Sequence, residues 1–309
     1  MKKNLHVLAA FALLFAAFST PVSSAEADAA TTGLDLNFVL ATTLEAKVKI
    51  TGTVTVPFLA GSGALTSGNN IAFKIGGELS PVSINGTVET VLTPAAFLQF
   101  LAGGSIGSGW NLPIANGLRM NERTGTKDSE LTGGAFSGLV WSAKAGGVFQ
   151  FDFAALKPGD WNHLVFQTSH VARYRALSSA NSTDSWLYEA DKGENRNGWN
   201  YYGAYFIGYQ MPLVLNTAGF LVEEDLYLFD TPDGALWGDD LARWTFGPLL
   251  DFTLGERTSA ALLVQWHSMR NFTGETEDYG FYQDRRLIDD DRYRMEFYRA
   301  ALSVTVKLK

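Results

Sequence analysis

The feature of this chain that most constrains its fold is a strict alternation of apolar and polar side chains. From Leu34 to Phe58 most even-numbered positions are apolar, whereas most odd-numbered positions are polar or charged. A β-strand points successive side chains to opposite faces, so this pattern predicts a strand with one apolar and one polar face. The run from residue 34 to residue 58 covers 25 positions. Strands of soluble globular proteins usually have about 5–6 residues.

The alternation recurs further along the chain with one change of phase. Residues 71–79 carry apolar side chains at odd positions, and after Pro81 the apolar side chains occupy even positions. A β-bulge at Ser80 and Pro81 would return them to one face, and bulges tolerate proline. A second shift, near Arg299 and Ala300, is needed to keep the charges of the last strand off the apolar face.

Long polar stretches alternate with short breaks along the chain, and this spacing gives a strand count. The long stretches are residues 59–70, 110–133, 178–198, 231–241 and 273–290. The segments between the connections predict ten strands in an all-β domain, with twelve as the alternative count: 34–58, 71–93, 96–109, 134–155, 161–177, 199–215, 219–230, 242–254, 259–272 and 291–308. An even number of strands places both termini on the side of the short turns.

The N-terminal residues match an export signal. Lys2 and Lys3 precede an apolar stretch that ends near Phe18, and Ser23 and Ala25 supply the small residues that a cleavage site after Ala25 requires. This three-part pattern predicts a signal peptide over residues 1–25. A short lead, residues 26–33, and one domain, residues 34–309, follow. The alternative is an N-terminal membrane anchor, which the shortness of the apolar run disfavours.

Composition excludes two classes of protein. The chain has 24 Lys and Arg against 32 Asp and Glu, a formal charge of −8, and no cysteine. A general nucleic-acid binder needs a basic face, so no nucleic-acid partner is expected. A disulfide scaffold is excluded by the absence of cysteine.

The export signal, the long alternating strands, the unequal connections and the even strand count resemble the transmembrane β-barrels of bacterial outer membranes, including small porin-like barrels. The resemblance is architectural and implies a closed antiparallel up-and-down barrel in the outer membrane, with lipid as its surroundings. It does not rest on a family motif. A soluble secreted β-sandwich is the alternative, but it does not explain the strand lengths.

Aromatic residues near the long connections support the membrane interpretation. They lie at or near the long-loop ends of seven different strands: Trp110, Tyr174, Trp199, Tyr227, Trp244, Trp266 and Tyr293. Membrane barrels place aromatic rings there because an amphipathic ring is stable at the level of the lipid headgroups.

The sequence predicts no catalytic residue and no cofactor. Outer-membrane lipid hydrolases carry a His and a Ser two residues apart on one strand, and His163, His170 and His267 do not have that spacing. An acidic loop with Asp284 and residues 289–291 could hold calcium, but it lacks the spacing of an EF-hand. Metal ligands are therefore not assigned.

The inward positions of the strands carry charges of both signs. The alternate positions predicted to face the interior hold Glu45, Lys47, Lys49, Lys74, Glu78 and Glu89. The candidates for charges that act in the lumen are Arg173, Arg175, Glu223, Asp225, Arg243, Arg292, Arg294 and Glu296. Fully paired, such charges would plug a narrow bore; partly solvated, they would line a polar path, and arginines could attract an anion.

The segment from Trp186 to Trp199 is the longest polar segment with aromatic flanks. Its candidates for a recognition surface are Trp186, Tyr188, Asp191, Glu194 and Arg196. Two functions remain open: a narrow channel for small polar or anionic solutes, or a plugged structural or adhesive barrel that presents its loops. A lipid- or peptide-hydrolysing enzyme is disfavoured by the histidine spacing. The solute, the surface partner and the oligomeric state do not follow from the sequence.

Overall fold

A computed structural model describes residues 29–121, 134–181, 184–189, 194–228, 238–272, 286–288 and 290–309. Within these residues, twelve strands form one closed antiparallel barrel. The barrel strands are β1 (Thr31–Ala41), β2 (Glu45–Pro57), β3 (Asn70–Ser80), β4 (Ser83–Ala95), β5 (Leu98–Gly109), β7 (Val140–Asp152), β8 (His163–Leu177), β10 (Gly198–Gln210), β11 (Leu215–Tyr227), β12 (Arg243–Thr253), β13 (Thr258–Arg270) and β14 (Tyr293–Lys307). The first strand, β1, pairs with the last, β14, and this pairing closes the barrel.

Three short elements lie outside the barrel wall. Two strands, β6 (Leu118–Asn121) and β9 (Ser185–Tyr188), pair with each other. A single turn of 3₁₀ helix, Phe153–Ala155, follows β7, and the Asp152 carboxylate accepts a hydrogen bond from the Ala154 amide at its start. The predicted signal peptide lies outside the described residues.

The prediction of ten strands is wrong, and the alternative of twelve is confirmed. The run from Leu34 to Phe58 is a hairpin: β1 and β2 pair from Ala41 opposite Glu45, and residues 42–44 form the turn. Leu44 takes the left-handed conformation there, with φ of 60°. Because this turn has an odd number of residues, the even positions keep facing outward through it. The alternation therefore contains no sign of the turn.

The second extra strand comes from the segment 71–93. Ser80 pairs with Ser83, so Pro81 and Val82 form a two-residue turn and not a bulge. A two-residue turn pairs even with odd positions, and this pairing produces the observed change of phase. Proline fits a turn as well as a bulge, so the sequence does not distinguish the two.

The expected shift in the last strand is confirmed one residue away from its predicted place. Gln265 of β13 pairs with Arg299, while the next residue, Trp266, pairs with Phe297. Tyr298 is thus the extra residue of a bulge. The bulge turns Arg299 inward while Phe297 stays on the outer surface, where 53% of it is exposed.

Most long connections lie at one end of the barrel and most short turns at the other. Three connections depart from this rule, so the expected strict alternation of long and short connections is wrong. Four long connections leave from and return to strands at one end of the barrel, where the turns 42–44 and 81–82 also lie; they follow β5, β8, β11 and β13. The connection 58–69, expected among the long loops, lies at the opposite end with both ends of the barrel chain. The expected boundary between the predicted strands 199–215 and 219–230 falls inside β11, and the turn is formed by residues 211–214.

The outer surface of the barrel is apolar. Ile75, Val88 and Ile106 point outward and are 67%, 56% and 53% exposed. Trp199 and Trp244 lie on the same surface near the end with the long loops, as predicted, whereas Tyr227 points inward and is buried. Such a band of apolar side chains, edged by aromatic rings, suits contact with lipid. Within the described residues, no helix is long and apolar enough to cross a membrane.

Candidate functional site

The interior of the barrel has two unlike halves. We call the inward residues of β8 and β10 to β14 the packed wall, because most of them are buried; Leu221, Leu263 and Gln265 have no exposed surface. We call the inward residues of β1 to β5 and β7 the open wall, because many of them keep partial contact with solvent. The two halves share the same alternation and differ in the side chains that it points inward.

The packed wall combines an apolar cluster with a chain of polar contacts. The cluster consists of Phe206, Leu221, Leu249, Ala261 and Leu263. Beside it, Glu223 accepts hydrogen bonds from Tyr202 and from Gln265, the latter at 2.7 Å. Arg299 donates to Gln265 at 3.0 Å and to Glu45 of β2 at 2.9 Å. This chain of contacts ties β10, β11, β13, β14 and β2 together.

A second group of the packed wall is centred on Asp225. Its carboxylate lies 3.4 Å from Arg173 and 3.1 Å from Arg243. Arg243 also lies over the ring of Tyr227, with 5.4 Å between the guanidinium carbon and the ring centre. A buried carboxylate between two guanidinium groups stabilises a fixed arrangement and leaves little freedom to bind a passing solute.

The structure brings together some of the predicted lumen charges and separates others. Arg173, Arg175, Glu223 and Asp225 are buried in the packed wall, and Arg243 is half-buried there. Three candidates lie apart, at the rim of the barrel. Arg292 pairs with Asp240 at 2.8 Å, Arg294 lies 3.6 Å from Glu296, and Glu296 lies 3.0 Å from His267.

The loop predicted as a surface for recognition is folded into the mouth of the barrel. We call residues 184–189 and 194–197 the mouth segment. Trp186 is fully buried, with the guanidinium of Arg175 4.7 Å from its ring centre, and Tyr188 donates to Asn85 at 2.7 Å. Burial raises the pKa of the Tyr188 hydroxyl, so Tyr188 remains a hydrogen-bond donor.

The other predicted loop residues hold the mouth segment to neighbouring loops and strands. Glu194 pairs with Arg270 of β13 at 3.0 Å, and Arg196 pairs with Asp239 at 3.2 Å. Both Glu194 and Arg196 are buried, which corrects the expected surface exposure. Composition did not reveal this burial, because aromatic and charged side chains occur both in exposed loops and in buried segments where other side chains pair with them. Asp191 lies outside the described residues.

The mouth segment meets the open wall through one carboxylate. Glu189 pairs with Lys47, accepts a hydrogen bond from Ser83 at 2.5 Å and accepts another from Asn85 at 3.1 Å. All four residues are buried. The Glu189 side chain is thus held by an ammonium group, a hydroxyl and an amide that belong to β2 and β4.

Beyond this contact, the open wall carries a group of lysines. Glu89 lies 3.5 Å from Lys74 and 2.5 Å from Lys144. Lys49 forms no ion pair with any residue that the structure describes, although Glu78 is its cross-strand neighbour. Small inward side chains surround the group: Gly76, Thr87, Gly103, Ser105 and Ser142. Sequence reasoning placed Lys49 and Lys74 inward but missed Lys144, although Val140, Ser142 and Lys144 alternate with outward residues.

The histidines make contacts that sequence spacing did not reveal. His163 lies 2.6 Å from Asp152 on the neighbouring strand, at the end of the barrel with the short turns. His170 points outward and contacts the Tyr201 hydroxyl at 2.6 Å. In the described part of the chain, no group of three or more His, Asp or Glu side chains could hold a metal ion. Asp284 and residue 289 of the acidic loop lie outside that part.

Comparison with known proteins gives matches at the level of structure. No protein-family model matches the chain, and no curated protein matches its sequence. The fold is similar to the KdgM porin, with 10% identity, a TM-score of 0.37, and coverage of 90% of this chain and 99% of that one. It is similar to the NanC porin, with 6% identity, a TM-score of 0.39, and coverage of 89% and 99%. It is also similar to OmpT, an outer membrane protein of Vibrio cholerae, with 6% identity, a TM-score of 0.30, and coverage of 93% and 99%.

The chain has the architecture of a bacterial outer-membrane β-barrel. Its apolar outer surface and the aromatic side chains near its rim match that architecture. Inside the barrel, the packed wall and the mouth segment occupy part of the bore, and the open wall offers polar groups.

Proposed function

We propose that this protein is a narrow channel of the bacterial outer membrane, and that small polar or anionic solutes pass along the open wall. The observation that carries the proposal is the group of Lys49, Lys74 and Lys144 around Glu89. These four side chains are half-buried, so they are inward and yet reachable by water. A plugged bore would have no need for an inward lysine without an ion-pair partner.

The charge of this group favours anions over cations. Within the group itself, three lysines surround one carboxylate, Glu89, while the other carboxylates of the wall, such as Glu78 and Asp35, lie outside the group. Lysine donates hydrogen bonds to oxyanions as a mobile point charge. The hydroxyl groups of Thr87, Ser105 and Ser142 add donors that do not depend on charge.

The size of the barrel supports a narrow path and not a wide pore. Twelve strands, counted over the described residues, lie between the eight of side-chain-filled barrels and the 16 of open porins. The packed wall fills part of the interior, which leaves the small side chains of the open wall as the place where solutes can pass.

The test is the reversal potential of refolded protein in planar bilayers under a potassium chloride gradient. We expect a small conductance with a preference for chloride, and a loss of that preference in Lys49→Gln. The control is Lys157→Gln, an exposed lysine in the connection between β7 and β8, which should leave the selectivity unchanged. A conductance that is equally selective in all three proteins would refute the proposed path.

A second function is favoured by a specific observation. The mouth segment is buried and tied to several strands, as a plugged barrel with a structural or adhesive role would require. The bilayer experiment separates the two functions, because such a barrel would stay silent. Neither function requires a catalytic residue or a cofactor.

A further inference from the structure

The contact between Glu189 and the open wall has the chemistry of an occupied binding site. Glu189 belongs to the mouth segment, whereas its three donors belong to the wall of the barrel: Lys47 on β2, and Ser83 and Asn85 on β4. One carboxylate oxygen accepts from Ser83 and Asn85, and the other faces the Lys47 ammonium group. The donors are held by rigid strands, and the carboxylate comes from a loop.

The donors are held mainly by contacts within the barrel wall. Ser80 and Ser83 lie 2.7 Å apart across the turn of the β3–β4 hairpin, which fixes the Ser83 hydroxyl. Asn85 lies 3.3 Å from Glu78 and accepts a hydrogen bond from the Tyr188 hydroxyl at 2.7 Å. Lys47 is also 3.6 Å from Glu78, so its ammonium group keeps a second carboxylate neighbour. A carboxylate that replaced Glu189 would find the same cation and hydroxyl.

The backbone of Glu189 has an unfavourable conformation while its side chain makes these contacts. Its φ is 57°, in the left-handed region that residues other than glycine rarely adopt. The Glu189 amide donates to the Gly117 carbonyl at 2.6 Å, which together with the side-chain contacts holds this conformation. Release of the side chain would allow the backbone to relax, so displacement is less costly than for an unstrained residue.

We propose that Lys47, Ser83 and Asn85 form a binding site for a carboxylate-bearing solute, that Glu189 occupies this site in the closed mouth, and that a solute carboxylate displaces Glu189 and loosens the mouth segment. The inference rests on the proposed channel, because it identifies how a solute class enters. A ligand that competes with an internal group shifts the population toward the displaced state by its own affinity for the vacated donors. The site lies directly above the lysine group of the open wall on β2, since Lys47 and Lys49 are two positions apart.

The absence of cysteine from the chain makes a single-cysteine reporter possible. Leu187 of the mouth segment is 7% exposed and makes none of the contacts with Lys47, Ser83 or Asn85 described above. Leu187→Cys should react slowly with a charged thiol reagent in the refolded barrel. Succinate is the probe, and sodium chloride at equal ionic strength is the control for screening of charges.

We expect succinate to raise the labelling rate of the Leu187→Cys protein by about tenfold, a shift that corresponds to about 1.4 kcal/mol. With Glu189→Gln added, labelling should be fast without succinate and insensitive to it. With Lys47→Met added, the response to succinate should be lost, and Ser83→Ala should weaken the response while retaining the fold. Asp240→Asn, which alters an exposed pair at the rim, should behave as the unmodified reporter.

The inference is overturned if succinate and chloride give the same labelling rate while Glu189→Gln labels as slowly as the unmodified reporter. An equal acceleration by both salts would also overturn it, because screening alone would then loosen the mouth. The labelling rate does not depend on conduction. Silence in planar bilayers would therefore refute the channel, whereas an unresponsive labelling rate in a conducting barrel would refute the carboxylate site alone.

Discussion

The packed wall and the open wall are built from the same repeating backbone, and they differ in what the inward positions carry. In the packed wall these positions hold large side chains such as Phe206, Arg299 and Tyr202, which fill space and satisfy one another. In the open wall they hold Ser142 and Gly103, which leave space, and lysines that remain partly hydrated. The open wall is packed in part as well, because Ala72, Val91, Leu101 and Val148 form a buried cluster with Val171, Tyr202 and Ala204. The comparison teaches that a barrel of this size can be packed along one side and keep partly hydrated polar positions along the other.

The largest expected difference between the walls concerns a carboxylate between two cations. Asp225→Ala leaves Arg173 and Arg243 without their partner in the packed wall, and removal of one member of a buried ion pair costs about 3–5 kcal/mol. Glu89→Ala breaks a similar arrangement with Lys74 and Lys144, where water can take over part of the solvation. Urea unfolding in detergent micelles should show a clearly smaller loss for Glu89→Ala. Equal losses would mean that the open wall is as dry as the packed wall.

The next comparison separates the outer surface from the open wall. Ile75→Arg puts a guanidinium group on the lipid-facing surface of β3, which costs about 2–4 kcal/mol near the middle of the bilayer. Thr53→Arg places the same group inward on the adjacent strand β2, opposite Lys74 and with Glu89 one strand further along the wall. Because water reaches this part of the open wall, the cost should be much lower even beside a lysine. Folding yield into lipid vesicles measures the difference. Similar yields for the two variants would show that the assignment of the faces is wrong.

A smaller effect should come from adding one aromatic ring to each wall. Ala204→Phe overfills the packed wall, where Ala204 is 4% exposed, and overpacking typically costs about 1–3 kcal/mol. Ser142→Phe should leave the unfolding free energy nearly unchanged but reduce the conductance, because the ring enters the space along the open wall. If Ser142→Phe destabilises the barrel as much as Ala204→Phe does, that space does not exist.

The smallest effect is expected for a lysine without an ion-pair partner among the described residues. Lys49→Gln should change the unfolding free energy by about 0.5 kcal/mol or less, since no ion pair with a described residue is lost. Lys47→Gln, two positions away on the same strand, removes the buried partner of Glu189 and should destabilise the barrel more. Thermal unfolding of the two variants side by side measures this contrast. A larger loss of stability for Lys49→Gln than for Lys47→Gln would contradict the assignment of Lys47 to the buried contact with the mouth segment and of Lys49 to the lysine group.

The fold could be predicted from the sequence to the extent that it depends on alternation. Outward residues such as Ile75 and Val88 follow from a period of two, because the outer surface requires an apolar side chain at nearly every second position. The turn at residues 42–44 could not be predicted, since an odd number of turn residues preserves the alternation. The turn at Pro81 produced a visible change of phase, but a bulge produces the same change.

The interior could be predicted less well, because alternation gives the direction of a side chain and not its partner. Arg243 and Arg292 both occupy alternate positions predicted to face the interior, yet Arg243 pairs with Asp225 in the packed wall and Arg292 pairs with exposed Asp240 at the rim. The mouth segment was expected at the surface because polar and aromatic composition is typical of exposed loops. Trp186 is buried instead, since the wall supplies Arg175 to cover its ring.

The central claim is that water reaches the inward positions of the open wall around the lysines and Ser142, and does not reach the inward positions of the packed wall. Cysteine labelling tests this claim most directly. Ser142 of the open wall and Ser169 of the packed wall both point inward on adjacent strands, and Ser169 is 9% exposed. Serine to cysteine exchanges a single heavy atom, so Ser142→Cys and Ser169→Cys should both fold. In the refolded barrel, a small charged thiol reagent should label Ser142→Cys readily and Ser169→Cys only after unfolding. Equal labelling of the two cysteines in the folded barrel would contradict the division of the interior into two walls.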